Sequence, residues 1–329
     1  MSPAVTARTH LIERAAELLG EPGGPQDWRP VRPEAAPAPA PAAPASAQDA
    51  PVQAPDQVVG KALGKAPAKD GSTTGTAAPP APIGLEALRA AGLVVGGDGP
   101  ARSRVVEEIA VVQHQMLRTV QEGPRAGTSQ GRIVVVTSAL PGEGKTFAAL
   151  NLAAAAAGGA AGVVLVDVDG REGGCGGALG VAGRPGLRQL ASDPSLRPNG
   201  LPLRTAIPRL TFLPYGGSVE GDAAGGRRDP PPGAAMASAI LRLAAALPQH
   251  VIVLDTPPSL STSEASTLAS IAGQVVLVVD AERTQRNEVE AALDMLEACP
   301  VLQLLLNRAR FSANDTFGAH GDYGAPDAG

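Results

Sequence analysis

The chain has 329 residues, of which 40 are glycine and 32 are proline, so part of it is not expected to pack into a domain. Aromatic residues make up 2%, which leaves Val, Leu, Ile and Ala to build a core; this composition suits buried parallel strands covered by helices. The formal net charge is −5, and the sequence has no dense Lys/Arg tract. Nucleic acid is therefore not expected as a partner, because affinity for it comes mainly from neutralising phosphates.

The cysteine pattern and the apolar stretches indicate a cellular compartment. Cys175 and Cys299 are the only cysteines, and neither lies in a CxxC motif or in a Cys/His cluster with metal-ligand spacing. The first ten residues lack the regions of a signal peptide, and the longest apolar stretch, about residues 147–166, is interrupted by Asn151. We expect a cytoplasmic protein without a membrane span.

The chain divides into four regions. Apolar residues at helical spacing predict an amphipathic helix over residues 1–20. Residues 21–100 are rich in Pro and Ala and keep no period, which predicts a disordered linker. A domain is expected over residues 101–310, and residues 311–329 lose periodicity again, as in a flexible tail.

Strands and helices alternate within the predicted domain. A first helix, about residues 103–121, is predicted from the apolar stripe of Val105, Ile109, Val112, Met116 and Val120. The alternation after it predicts an α/β fold, a doubly wound and mostly parallel sheet with helices on both faces. The predicted strands are 133–138, 163–167, 210–214, 251–255, 275–280 and 301–307, and the later helices are 146–157, 234–247, 264–272 and 287–298.

A phosphate-binding motif follows the first predicted strand. The run Ala139-Leu-Pro-Gly-Glu-Gly-Lys-Thr146 fits G-x-x-x-x-G-K-[ST], except that Ala replaces the first Gly, and it opens a predicted helix. In such a loop the backbone N–H groups cradle a polyphosphate, Lys145 neutralises phosphate charge and the Thr146 hydroxyl ligates Mg²⁺. Whether the Glu143 side chain faces solvent or the attacking group stays open. The candidate nucleotide-binding residues of this segment are Pro141, Gly142, Glu143, Gly144, Lys145, Thr146 and Phe147.

Three carboxylates stand at the ends of two further apolar strands, at the edge where open α/β sheets place their ligands. Asp167 and Asp169 follow Val163-Val-Leu-Val166, and Asp255 follows Val251-Ile-Val-Leu254. Asp255 is expected to act on Mg²⁺ directly or through a neighbouring group, and the other two to hold metal or to accept a hydroxyl proton. Arg171 either contacts phosphate or pairs with a carboxylate. The candidate catalytic residues are Lys145, Asp167, Asp169 and Asp255, and the candidate metal ligands are Thr146, Asp169 and Asp255.

The phosphate-binding run, Asp167-Val-Asp-Gly-Arg171 and Leu254-Asp-Thr-Pro-Pro258 together resemble the three nucleotide motifs of the bacterial tyrosine kinases of capsule and exopolysaccharide production. The resemblance is greatest to the autokinases of exosortase (PEP-CTERM) exopolysaccharide loci, and it covers residues 10–19 and nearly all of 105–310. It implies a P-loop NTPase fold of the MinD/ParA-like superfamily, with ATP and Mg²⁺ as cofactors. It also implies tyrosine autophosphorylation between neighbours in a ring, and activation by a membrane-spanning chain-length determinant at the inner membrane.

The resemblance also assigns individual roles. Lys145 and Thr146 would bind phosphate and Mg²⁺, Asp255 would be the Walker B residue, and Asp167 would be the base with Asp169 beside the metal. Asn307 matches the position where related ATPases contact adenine, with a simple turn residue as an equal alternative. The phosphoacceptor would be Tyr323 of the tail.

The sequence departs from the family pattern in two respects. The tail holds a single tyrosine, Tyr323, and the other tyrosine, Tyr215, is expected to be structural. The helix that carries Glu-x-x-Arg-x-x-Arg for ring assembly in relatives reads Glu108-Ile-Ala-Val-Val-Gln-His114, without either arginine. Two functions therefore stay open: a tyrosine autokinase, and a non-kinase regulatory ATPase that acts as an ATP-gated assembly switch. A chromosome-positioning ATPase is disfavoured, because Leu140 stands where that class carries a second lysine.

Overall fold

One seven-stranded sheet lies within the described part of the chain, residues 81–96, 103–159, 161–171, 174–217 and 233–309 of a computed structural model. The predicted N-terminal helix (residues 1–20), most of the predicted linker and the tail with Tyr323 lie outside these ranges. The α/β fold class predicted from the alternating pattern is confirmed.

Parallel pairing dominates this sheet. The strand order is β3-β4-β2-β5-β1-β6-β7, and among these seven strands β3 alone pairs antiparallel, with β4. All six residues of β1 are buried, as expected of a strand covered on both faces. The six predicted strands are confirmed to within a residue at each end, and the short β3 is additional. The strands are β1 (Ile133–Ser138), β2 (Gly162–Asp167), β3 (Leu203–Arg204), β4 (Leu210–Leu213), β5 (His250–Asp255), β6 (Gln274–Asp280) and β7 (Leu302–Asn307).

Helices cover the sheet on both faces. None of the helices in the described ranges combines the length and the hydrophobicity that crossing a bilayer requires. They are α1 (Leu85–Ala90), α2 (Arg104–Glu122), α3 (Lys145–Ala157), α4 (Cys175–Ala178), α5 (Leu187–Ser192), α6 (Gly233–Ala246), α7 (Glu264–Ile271) and α8 (Arg286–Met295).

The alternating side chains of the strands enter two separate cores. Ile133 of β1 faces a core formed with α6, α7 and α8, whereas Val134 faces a core formed with α1, α2 and α3. The predicted apolar stripe of α2 packs only in part: Met116 is fully buried, but Val105 is 44% exposed. Helices thus pack against both faces of the sheet, and this packing holds the carboxyl ends of the strands in place.

The start of the domain differs from the prediction. Residues 81–96, which we assigned to the linker, belong to the folded domain: Ile83 forms a bridge with Thr205 next to β3, and Leu88 and Leu93 are buried. The helix α1 spans six residues and has no side-chain cap. A segment this short shows no sustained period, which is why the sequence pattern did not separate it from the Pro/Ala-rich region before it.

Asn151 connects this N-terminal segment to the helix that follows the phosphate-binding loop. Its side chain is completely buried within α3, and all of its bonds go to the backbone. The amide oxygen accepts from the N–H groups of Val94 (2.8 Å) and Val95 (3.3 Å), and the amide nitrogen donates to the carbonyls of Gly92 (2.9 Å) and Phe147 (2.9 Å). The hydrogen-bonding atoms of this polar side chain in an apolar helix thus have partners, and the bonds join residues 92–95 to α3.

We expect Asn151→Ala to lower the free energy of unfolding by about 1–3 kcal/mol, because it removes the hydrogen bonds that join residues 92–95 to α3. Urea unfolding followed by circular dichroism measures the loss. Ser270→Ala is the control, since it removes an exposed hydroxyl bond to the Thr267 carbonyl (2.7 Å) and should cost less than about 0.5 kcal/mol. Equal losses in the two variants would contradict the role of Asn151.

Candidate functional site

The phosphate-binding loop joins β1 to α3 in the conformation that its glycines permit. Gly142 and Gly144 have φ angles of 85° and 96°, a region that other residues rarely adopt. Ala139, which replaces the first glycine of the motif, is completely buried, so its methyl group is accommodated in the core. None of the described side chains caps the first turn of α3. Its N–H groups and the positive end of its dipole therefore suit an anion.

Lys145 lies at the start of α3 and reaches across to the ends of two strands. Its ammonium is 2.7 Å from Asp169 Oδ2, 3.9 Å from Asp255 Oδ1 and 3.4 Å from Thr146 Oγ1. The residue is 9% exposed, so these interactions occur with little screening by water. The structure thus brings the predicted loop lysine and two of the predicted carboxylates into one cluster.

Asp255 is the least satisfied of the acidic residues. It is 1% exposed, and neither carboxylate oxygen has a hydrogen-bond partner among the described residues. Burial raises the pKa of this carboxyl from 3.8 to about 7, against the opposing effect of the Lys145 charge. A buried carboxylate with no donor is unfavourable unless a cation or a proton neutralises it.

Asp167 and Asp169 have different surroundings although they are two residues apart. Asp167 is 2% exposed and accepts from the N–H groups of Gly170 (3.1 Å) and Gly176 (2.9 Å). Burial raises its pKa, and these two bonds oppose the rise. Asp169 lies between Lys145 and Arg171, whose Nε is 3.0 Å from Oδ1. Of the two roles left open for Arg171, the structure has the pairing with a carboxylate.

Sheet register explains why these residues meet. Asp167 of β2 pairs directly with Asp255 of β5, and β5 lies next to β1, which leads into the loop. The carboxyl ends of these parallel strands meet at one edge, so the loop and the acidic residues share it. Tyr215 lies at the same end of the sheet, where its half-buried ring covers Gly170, consistent with the structural role expected for it.

The remaining predicted residues occupy several environments. Pro141 is exposed, Thr146 is half-buried, and the Phe147 ring points away from the loop towards Gly92 of the N-terminal segment. The Asn307 amide donates to the Glu143 carbonyl (2.8 Å) and accepts from the Arg308 N–H (2.9 Å), so in this structure it contacts the loop itself. Its contact with adenine stays a prediction.

Comparison with known proteins finds tyrosine kinases among the relatives. CpsD of Streptococcus agalactiae, a tyrosine-protein kinase, is 29% identical over 205 residues, which cover 60% of this chain and 84% of CpsD. This chain is thus similar to bacterial tyrosine kinases. EpsB of Ralstonia nicotianae is 29% identical over 197 residues, which cover 59% of this chain but 25% of EpsB.

Two further comparisons concern structures and family profiles. The kinase domain of Escherichia coli tyrosine kinase ETK aligns with 65% of this chain and with 81% of that domain, at 24% identity and a TM-score of 0.48. No profile of a protein family matches the sequence.

The residues of this site fit a nucleotide with Mg²⁺. The described residues contain no cluster of three or more His, Cys, Asp or Glu side chains that could bind a metal alone. Mg²⁺ keeps several waters and is bound through one or two carboxylates together with the phosphates of a nucleotide, so such a cluster is not required. The unsatisfied Asp255 carboxylate and the Thr146 hydroxyl suit that mode of binding.

The position of the Glu143 side chain was not predicted from the sequence. It is 2% exposed and faces neither solvent nor an attacking group, but the end of β6. There it meets Asp280 and Thr284, both buried, and Asp280 in turn holds Arg308 (2.6 Å). The only signal in the sequence was that these polar residues follow the apolar run of β6.

We expect Asp255→Asn to stabilise the protein at pH 8 by about 1–3 kcal/mol in the absence of nucleotide. The pKa of Asp255 is raised on folding from 3.8 to about 7. Between these two pH values the folded protein therefore retains a proton that the unfolded chain has released. The buried charge therefore does not lower the free energy of unfolding below pH 3.8, and it lowers it by the full amount above about pH 7.

Urea unfolding at pH 4 and pH 8 tests this dependence. The stability difference between Asp255→Asn and the unaltered protein should grow with rising pH. A difference that is the same at both pH values would mean that Asp255 does not change its ionisation over this range.

Proposed function

We propose that this chain is an ATP- and Mg²⁺-dependent protein tyrosine kinase that phosphorylates a tyrosine in its own tail and thereby regulates exopolysaccharide polymerisation or export. One observation carries the proposal. Lys145 at the uncapped start of α3 lies within 4 Å of two carboxylates at neighbouring strand ends, and one of these, Asp255, has no hydrogen-bond partner among the described residues. That arrangement suits the charges of a metal-bound triphosphate.

Each residue of the site has a role in this proposal. The backbone N–H groups from Gly142 to Thr146 bind the phosphates, and the Lys145 ammonium moves its charge from Asp169 to the β- and γ-phosphate oxygens. The Thr146 hydroxyl and Asp255 hold Mg²⁺ with Asp169 beside it. When bound, Mg-ATP supplies the transferable phosphoryl group and an ADP leaving group.

The acceptor is the Tyr323 hydroxyl of a second copy of the chain. Its phenolic oxygen forms the new bond to the γ-phosphorus, the bond to the bridging oxygen of ADP breaks, and Asp167 takes the phenolic proton. The raised pKa of Asp167 favours proton uptake, although both of its oxygens already accept backbone N–H bonds. A partner that spans the membrane and determines polysaccharide chain length would hold the cytoplasmic kinase at the inner membrane and activate it.

Lys145→Met is expected to weaken Mg-ATP binding by on the order of 100-fold or more, because the charge that faces the phosphates is removed. Isothermal titration calorimetry with magnesium measures the affinity, and circular dichroism checks that the sheet is intact. A folded Lys145→Met protein that binds Mg-ATP as tightly as the unaltered chain would remove the proposed role of the loop.

Phosphosite mapping by mass spectrometry tests the transfer itself. The full chain, incubated with Mg-ATP and with membranes from its native host, is expected to gain one phosphate on Tyr323, and Tyr323→Phe should lose it. Tyr215→Phe is the matched control, because Tyr215 packs against Gly170 and should not be modified. A protein that binds ATP but carries no phosphotyrosine would exclude the kinase proposal.

A regulatory ATPase without kinase activity is the second candidate, and the supply of tyrosines favours it. The sequence holds only two tyrosines, of which Tyr215 is half-buried in the domain. Ring assembly has little support from α2, because Val111 stands at the first arginine position and Glu108 pairs with Arg104 of its own helix (2.8 Å). If the chain is a regulatory ATPase, ATP-dependent association with the membrane fraction survives Tyr323→Phe. If it is a kinase, that association is no longer regulated by phosphorylation in Tyr323→Phe.

A further inference from the structure

The phosphate-binding loop contains a buried acidic residue at its tip. Glu143 lies between the two left-handed glycines of the loop, and it is 2% exposed. Its Oε2 accepts from the Leu140 N–H (2.7 Å), at the opposite side of the same loop. Its Oε1 accepts from the Thr284 hydroxyl and from the Asp280 N–H (3.4 Å). One carboxylate thus closes the loop on itself and fastens it to the end of β6.

The backbone of the same residue is fastened to the neighbouring strand. The Asn307 amide donates to the Glu143 carbonyl, and Asn307 pairs in register with Asp280 across β6 and β7. A side chain at Gly144 would collide with the Asn307 amide, which would lie 2.2 Å from its Cβ. The loop is therefore held between two adjacent strand ends, neither of which carries the predicted catalytic carboxylates.

The chemistry of these contacts requires a carboxylate. All three partners of the Glu143 side chain are donors: two backbone N–H groups and a hydroxyl. The Thr284 hydroxyl can donate to Glu143 because its oxygen accepts from the Asp280 N–H (3.2 Å). An amide at position 143 would keep the size but turn a donor towards one of these N–H groups, so one buried donor would lose its acceptor.

We propose that Glu143 is a positioning residue for nucleotide binding, with Thr284 as its partner. Their contact, together with the Asn307 bond, holds the loop in the shape that directs the N–H groups of Gly142 to Thr146 towards a polyphosphate. Glu143 does not contact the reacting atoms in this role. The inference rests on the proposed function, since it assigns a cause to the affinity for Mg-ATP.

The contact also fixes the segment between β6 and α8. Residues 281–287 and Glu290 line an open pocket of 680 Å³, and Thr284 lies within that segment. Arg283 Nη1 is 4.0 Å from the position that a Cβ on Gly142 would take. Loss of the Glu143–Thr284 contact would therefore release both the loop and the cation beside it.

The test compares Glu143→Gln, Thr284→Val, the double variant and Thr284→Ser by calorimetric titration with Mg-ATP. We expect Glu143→Gln to raise the dissociation constant about 10- to 100-fold and Thr284→Val about 5- to 20-fold. The double variant should be no weaker than Glu143→Gln, because both changes remove the same contact. Thr284→Ser keeps the hydroxyl and should restore affinity to within about threefold.

Glu122→Gln is the matched control, since the same change is made on the exposed face of α2. If phosphotransfer is measurable, the KM for ATP should rise more than kcat falls, which separates positioning from chemistry. Additive effects in the double variant, or a folded Glu143→Gln protein with unaltered affinity, would overturn the proposal.

Hydrogen exchange separates this inference from the proposed function. In Glu143→Gln, the peptide that contains Leu140 or the peptide that contains Asp280 should exchange at least about tenfold faster, because one of these two N–H groups then faces an amide donor. Unaltered exchange overturns the contact whatever the nucleotide affinity. If the unaltered chain does not bind Mg-ATP, the proposed function and the positioning role both fail, while faster exchange would still establish that the Glu143 side chain accepts a backbone N–H bond.

Discussion

The placement of one ammonium group among buried carboxylates governs the rest of this site. Lys145 lies 2.7 Å from Asp169 and 3.9 Å from Asp255, and Asp167 pairs in register with Asp255 on the adjacent strand. Three acidic side chains this close and this buried repel one another, and Lys145 offsets the repulsion together with Arg171, which pairs with Asp169. A triphosphate that draws Lys145 towards itself leaves those carboxylates in need of another cation, which is the chemical reason that a phosphate ligand and Mg²⁺ suit this site together.

The sheet brings Lys145 and the carboxylates together, and other strands of the same sheet hold the phosphate-binding loop. Lys145 faces the ends of β2 and β5, whereas Glu143, two residues earlier, faces the ends of β6 and β7. The loop thus lies across four strand ends, with its cation directed to one pair and its carboxylate to the other. Similarity to bacterial tyrosine kinases agrees with the first arrangement, and the second is a feature of the structure that the sequence motifs do not indicate.

Long apolar runs determined most of the fold from the sequence alone. The six predicted strands are rich in Val, Ile and Leu, as expected of strands covered by helices, so their positions followed from composition without knowledge of their partners. The phosphate-binding motif and the three carboxylates at strand ends were likewise local signals, since parallel strands bring their carboxyl ends to one edge. The pairing of Arg171 with a carboxylate was one of two alternatives that the sequence left open.

Contacts between residues far apart in the sequence were decided only by the tertiary structure. The segment of residues 81–96 is folded because Asn151, more than fifty positions later, satisfies its backbone, and β3 exists because β4 pairs with it. Glu143 gave no local sign of its direction, because a loop carboxylate has the same sequence context whether it faces solvent or Thr284. The sequence by itself determined which strands form and which charges stand at their ends. The tertiary structure decided how those charges pair, because a pair's geometry depends on donors and acceptors that other strands supply.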